Sequence, residues 1–298
     1  MARSLCRTAA RLLVAAAVML LPAVARAQGP EVRVADTTQI IQVLKTRDGS
    51  TFVGHVVATT ADSVTMRTNV GTLTIARAAI DEVREVPRTA MHAGREYWPP
   101  DPNETRLFFA PTGRMLKRGE GYFSDTYLFL LGGAGGVTDW LTLGGGISVL
   151  PLEDFSDNIV YVTPKVGLVS SERVNVAVGA AIGTARGAFE DVGTAGIFYG
   201  VGTFGPPDGS VSAGVGYAYA GSDVNNTPIL MLGGAKRVSK RVSLVTENYL
   251  FSDADTQFVY WYGLRLMGEK LSTDLAFINA SSSGIFPGIP YVNVVFKF

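Results

Sequence analysis

The sequence predicts an all-β protein: a transmembrane antiparallel up-and-down β-barrel of about twelve strands, preceded by a small five-stranded, barrel-like β domain. Three observations lead there. Charged residues make up only 17% of the 298 residues and 34 residues are glycine, whereas soluble domains carry roughly 25% charged residues and 7% glycine. After Ala27 no apolar run reaches the roughly 20 residues of a spanning helix, yet the mean hydropathy is positive, +0.22. From Thr105 onward, apolar residues alternate with small or polar ones in runs of roughly ten, the length of a tilted strand span. In a bilayer, a chain without apolar helices satisfies its backbone only by closing a sheet.

The first segment is a leader. "MARSLCRTAARLLVAAAVMLLPAVARAQ" carries Arg3, Arg7 and Arg11, an uncharged stretch from Leu12 to Ala25, and Ala25-Arg26-Ala27 before Gln28. This layout predicts a secretory signal peptide over residues 1–27, cut between Ala27 and Gln28. The uncharged stretch, about 14 residues, is short for a membrane anchor. Cys6, the one cysteine, leaves with the leader, so the mature chain holds by packing and hydrogen bonds without disulfides. Four arginines leave too, and about 22 basic residues face 26 acidic ones. A mildly acidic chain gives nucleic acid no electrostatic reason to bind.

Residues 28–88 form the small periplasmic β domain. Short runs rich in Val, Thr and Ile between Ile40 and Val86 are separated by turn signals at Asp48-Gly49 and Asn69-Val70-Gly71, which predicts five short strands. Through "DGSTFVGHVV", "DSVTMRTNVGTLTI" and "IDEV" this segment resembles the small Sm-like or SH3-like barrels. That class often binds RNA or forms rings; export and acidity favour a periplasmic spacer or docking module, with a periplasmic protein or the cell wall as its partner. Residues 89–104, with Pro99, Pro100 and Pro102, read as a linker because proline forbids regular pairing.

Residues 105–298 are the barrel. Its connections alternate between tight turns, near Thr138-Asp139, Ser171-Glu172, Pro206-Pro207-Asp208-Gly209, Ser239-Lys240 and Glu269-Lys270, and looser polar loops near 113–120, 151–157, 186–193, 221–227, 252–255 and 280–288. The strands run from "TRLFFAP" and "GYFSDTYLFLLGGAGG" to "PYVNVVFKF". The alternation resembles that of bacterial outer-membrane barrels, with short periplasmic turns and longer outer loops. In that family a terminal Phe preceded by apolar residues at alternate positions is the assembly signal, matched here by Val292, Val294, Phe296 and Phe298. The resemblance implies a Gram-negative-type envelope, outer-membrane lipid as surroundings, and the barrel-assembly machinery as partner. "DPNETRLFFAPTGRMLKRGEGYFSD" and "GVTDWLTLGGG" also look like a set of uncharacterised exported barrel proteins, which implies a shape and a location but no substrate.

The period of two assigns faces. Val174, Val176 and Val178, Leu141 and Leu143, Val211 and Val215, and Phe258, Tyr260, Tyr262 and Leu264 are expected to face lipid. Small residues such as Gly144, Gly146, Gly179 and Gly214 face the lumen, together with the charge candidates Lys165, Lys236, Glu247, Arg265 and Asp274, and Tyr161 and Trp261. A tight turn at Glu269-Lys270 puts Arg265 opposite Asp274, an opposite-charge cross-strand pair. It serves either a charged constriction that selects permeants or an ion pair that fills a narrow lumen.

Catalysis is not expected. Membrane-embedded barrel hydrolases and acyltransferases generally use a histidine, and the only two here, His55 and His92, precede the barrel. Without a histidine pair or a mature cysteine, neither a metal site nor a cofactor is expected. The glycine runs lack the Lys-Ser/Thr of a phosphate loop. Two functions fit: a porin-like pore or transporter for small solutes with a charged lumen, or a closed, non-catalytic barrel that anchors a periplasmic interaction domain.

Overall fold

A computed structural model describes Val32, Val34 and residues 40–87, 91–92, 96–149, 158–184, 193–251, 257–281 and 285–298. The expected cleavage between Ala27 and Gln28 lies outside these residues, as do the outer loops at 151–157, 186–192 and 252–255. The chain divides into two compact units, one ending at Tyr97 and one beginning at Trp98.

In the first unit, β1 (Ile40–Thr46), β2 (Thr51–Thr59), β3 (Ser63–Thr68), β4 (Gly71–Ala76) and β5 (Ile80–Pro87) form an antiparallel sheet in the order β4-β3-β2-β1-β5. Leu44, Val56, Val64, Met66 and Ile80 make its core. Gln42, also fully buried, accepts the Val56 N–H at 2.8 Å, so its amide costs little. The turn after β1 places Gly49 at φ +87°, a conformation that glycine adopts without strain. A two-residue pair, β6 (Met91–His92) and β7 (Glu96–Tyr97), follows.

The second unit is a closed barrel. Its strands are β8 (Gly121–Thr126), β9 (Leu130–Thr138), β10 (Leu141–Ser148), β11 (Val160–Ser170), β12 (Val174–Thr184), β13 (Ala195–Phe204), β14 (Gly209–Ala220), β16 (Ile229–Ser239), β17 (Val242–Phe251), β18 (Gln257–Met267), β19 (Leu271–Ala280) and β20 (Ile289–Lys297). A short β15 (Asp223–Val224) folds back on the end of β14. Each barrel strand pairs antiparallel with the next, and β20 pairs back to β8 from Lys297↔Tyr122 to Asn293↔Thr126. The seam ends in a reciprocal bond, Gly121 N–H to Phe298 O at 3.1 Å and Phe298 N–H to Gly121 O at 2.8 Å. The tight turns lie at this end of the barrel.

The outer surface is what a bilayer requires. Leu143, Val178, Val211, Val215, Phe258 and Leu264 are all exposed, and Phe258, Tyr260 and Tyr262 stack in a row along β18. Trp140, Phe204 and Phe298 are exposed near the tight turns, where an aromatic girdle meets the interface. The rings of Phe298 and Phe123 lie 5.2 Å apart across the seam, a pair worth ~0.5–1.5 kcal/mol beyond its buried area. Phe298→Asp is expected to lower the temperature at which the fast-migrating folded form disappears from unboiled detergent gels. An unchanged transition temperature would show that the seam does not depend on this ring.

The expected strand number holds, but two of its segments are redistributed. "GYFSDTYLFLLGGAGG" forms two strands, β8 and β9, joined by a turn in which Tyr127 and Leu128 take φ of 59° and 66°. No Gly, Asn, Asp or Pro marks this turn, so the text hides it. "TRLFFAP" is not a wall strand. Leu107, Phe108 and Ala110 are buried because the segment lies inside the barrel.

Candidate functional site

Residues 98–120 form an inserted hairpin that enters and leaves the lumen at the tight-turn end. The entry is marked by Arg237 on β16, which donates to Pro99 O at 2.7 Å, lies 3.2 Å from Asp208 Oδ1 and stands 5.0 Å over the Trp98 ring. The tip is a turn in which Leu107 N–H donates to Ala110 O at 2.8 Å. There Leu107, Phe108 and Ala110 pack with Ala177, Val201, Met231, Val245, Ala276 and Tyr291 from the walls. The return limb reaches the exit near Arg118, whose N–H donates to Asp139 Oδ1 at 2.9 Å, and continues into β8.

The plug contributes mainly backbone and the wall contributes charge. Glu247 on β17 is fully buried, and its Oε2 accepts the N–H groups of Phe108, Phe109 and Ala110 at 2.9, 2.9 and 3.0 Å. Its Oε1 accepts the Tyr249 hydroxyl at 2.6 Å. A single carboxylate thus satisfies three amides of a tight turn that have no sheet partner. Arg265 on β18 works in the opposite sense. Its guanidinium donates to Asp274 Oδ1 at 2.6 Å, Asp101 Oδ2 at 2.9 Å, Asn103 O at 3.0 Å and Leu107 O. Asp274, directly opposite in the β18–β19 register, also accepts Asn103 Nδ2 and Asn293 Nδ2, both at 3.1 Å. Lys165 on β11 donates to Arg114 O and Thr105 O, one on each limb of the hairpin. Tyr291 caps the tip through its hydroxyl to Phe108 O at 3.1 Å.

Small wall residues make the room. The Gly113 N–H donates to Thr203 Oγ1 at 2.8 Å, and a side chain on Gly113 would run into the Asn175 carbonyl. Gly136 on β9 lies so close to Lys117 of the return limb that a Cβ there would overlap its backbone carbonyl. Gly136, Gly167 and Gly233 thus make room for Lys117, Met115 and Leu107 of the plug, whereas Gly146 and Gly179 make room for Tyr161 and Tyr199 of neighbouring strands.

Four of the five charge candidates, Lys165, Glu247, Arg265 and Asp274, are buried in the lumen against the plug. Lys236 is not among them. The inward phase of β16 is fixed by Met231 and Ala235, which pack on the plug, so Lys236 points outward and Arg237 takes the inward place. "ILMLGGAKRV" concealed this because its apolar residues are consecutive and its centre is Gly233-Gly234, which leaves the alternation without a phase. Lys236 sits at the tight-turn end with its stem over Gly209, where a long side chain lets its ammonium reach the interface. Sequence alone also missed Asp101 and Asn103, because the Pro-rich stretch 89–104 has the look of a linker, and Arg114, because 113–120 has the look of a surface loop. Four charges in residues 101–114 of an otherwise apolar unit were the available signal. Among the described residues no group of three or more His, Cys, Asp or Glu could hold a metal ion.

No family model matches the chain, and no curated protein matches it. Solved structures do. The KdgM porin, solved in complex with disordered oligogalacturonate, is 10% identical with a TM-score of 0.43, over 60% of this chain and 98% of that one. The NanC porin is 10% identical with a TM-score of 0.40, over 60% and 97%. OmpT, an outer membrane protein of Vibrio cholerae, in a form lacking loop L8, is 10% identical with a TM-score of 0.34, over 87% and 97%. Likeness of this size assigns neither a family nor an activity.

Proposed function

We propose that the chain is an outer-membrane pore for small solutes that is closed at rest by its own hairpin, residues 98–120. Lys165, Glu247, Arg265 and Asp274 latch the plug and leave selection to the rest of the lumen. The observation that carries this reading is that the plug enters and leaves at one end and is held mainly through its backbone by a few wall side chains. Such a segment can withdraw without breaking the strand ladder. It begins where the small N-terminal unit ends, so pulling on that unit from the periplasm, by a protein or cell-wall partner, is the simplest trigger. Val292, Val294, Phe296 and Phe298 serve assembly, and no catalytic role is assigned.

A second reading, a permanently closed anchor, is favoured by the density of buried, saturated charge around the plug, which is costly to pull apart. Planar-bilayer recordings separate the two. The full chain is expected to show rare openings, and a variant in which residues 101–117 are replaced by a short Gly-Ser linker a stable conductance. If that variant is folded, as judged by heat-modifiable migration, and yet does not conduct, the pore reading falls. If it conducts while the full chain never opens, the anchor reading stands.

A further inference from the structure

We propose that the half of the lumen beyond the plug tip is a binding cup for a single long acyl chain, which enters from the bilayer over the low rim formed by β8 and β9. This rests on the plugged-pore reading and names the class of solute that the pore handles.

The floor of the cup is the plug tip. Phe108 and Ala110 are 0% and 3% exposed, but Phe109 between them is 60% exposed. The tip points away from the tight-turn end, so the Phe109 ring faces open lumen. Beside it Trp261 lies 6.2 Å from Phe108 and 4.9 Å from Tyr291, ring to ring, and its indole Nε1 is buried without a hydrogen-bond partner.

The walls continue in the same chemistry. The inward phase set by Tyr199, Tyr249, Trp261 and Tyr291 at the plug carries on toward the loops as Ile197, Phe251, Val259 and Ile289. Among the described residues of the barrel strands, no inward position beyond Glu247 toward the loops carries a charge. A water-filled channel for ions or sugars lines its path with polar groups; these four wall positions are apolar, and Ser148, at the loop end of β10, is bonded to Asn158.

The rim points to the bilayer as the source. The last bond between the β8 end and β20 runs from the Tyr127 N–H to Val292 O at 3.1 Å, while β20 runs on to Ile289, so the wall drops by roughly 10 Å of strand at ~3.3 Å per residue. Pro290, which lacks an N–H and suits only an open edge, lies in this uncovered stretch, and its carbonyl accepts the Tyr127 hydroxyl at 2.7 Å. The turn that forms the low rim is Tyr127-Leu128-Phe129, 41%, 78% and 42% exposed. A hairpin tip in water is normally polar; three apolar side chains at this one place it among acyl chains. The acyl chain of a bilayer amphiphile is therefore the occupant that meets the opening.

The test uses the full chain in liposomes with Trp98→Phe and Trp140→Phe, which leaves Trp261 as the only indole. A C16 fatty acid brominated near its methyl end is the probe. Saturable quenching of Trp261 is expected, weakened at least tenfold by Ile197→Asp and by the milder Ile197→Asn, both checked for heat-modifiable folding. Leu128→Asp at the rim is expected to slow the onset of quenching several-fold without changing its final extent. Quenching that grows linearly with probe and ignores Ile197 would reduce the effect to bulk partitioning and overturn the cup. Quenching by acrylamide but not by the brominated acid would make the space aqueous and overturn it equally. Either result leaves the conductance of the plug-replaced variant untouched, so the cup and the pore can fail separately.

Discussion

Arg265→Ala is expected to destabilise the barrel more than any other single change in the lumen. The guanidinium is 1% exposed and binds two carboxylates and two plug carbonyls at once. Removing it leaves Asp274, itself fully buried, and Asp101 without their counter-charge, and strips two carbonyls of a donor. Breaking one partner out of a buried pair costs ~3–5 kcal/mol, because the charge left behind is uncompensated. The measurement is the temperature at which the folded form is lost in detergent, and a fall of many degrees is expected. Arg265→Ala with Asp274→Asn should recover part of the loss, since the second change removes the stranded charge. If the single and double variants melt together with the parent, the cluster contributes nothing net and the latch is misassigned.

The fold was legible because two physical constraints write themselves into the sequence. Alternation of apolar and small residues fixes both strand and face, so Leu143, Val178 and Val215 could be placed outward and Lys165, Glu247, Arg265 and Asp274 inward. The tight turn after Met267 put Arg265 opposite Asp274 by counting alone. What the sequence hid is equally physical. An apolar segment inside the barrel, like Leu107-Phe108-Phe109-Ala110, has the composition of a strand, and nothing in its spacing says whether it lies in a wall or within one. The β8–β9 turn carries none of the usual turn residues, and β16 lost its phase in a run of consecutive apolar residues and glycines. The lumen charges were visible. Their partner, a backbone hairpin, was not, because backbone amides carry no sequence signature.

Glu247→Ala is expected to separate the latch from the wall. In the parent, three amides of the plug tip converge on one carboxylate oxygen, and the neighbouring inward positions offer no second carboxylate: they are Val245 and Tyr249 on the same strand, whose hydroxyl is the one other acceptor among them, Gly233 on β16 and Trp261 on β18. Each buried amide left unpaired costs ~1–3 kcal/mol, but the loss falls on the tip and not on the strand ladder, which keeps every one of its own bonds. The barrel should therefore melt closer to the parent than Arg265→Ala does, while openings in planar bilayers become at least tenfold more frequent and a protease added at the tight-turn side cuts between residues 101 and 117. Glu247→Gln keeps one acceptor oxygen without the charge and should fall between the two. A Glu247→Ala protein that stays silent and protease-resistant would mean that apolar packing of Leu107, Phe108 and Ala110 holds the plug by itself, and that the four buried charges are a consequence of filling the lumen and not a release mechanism.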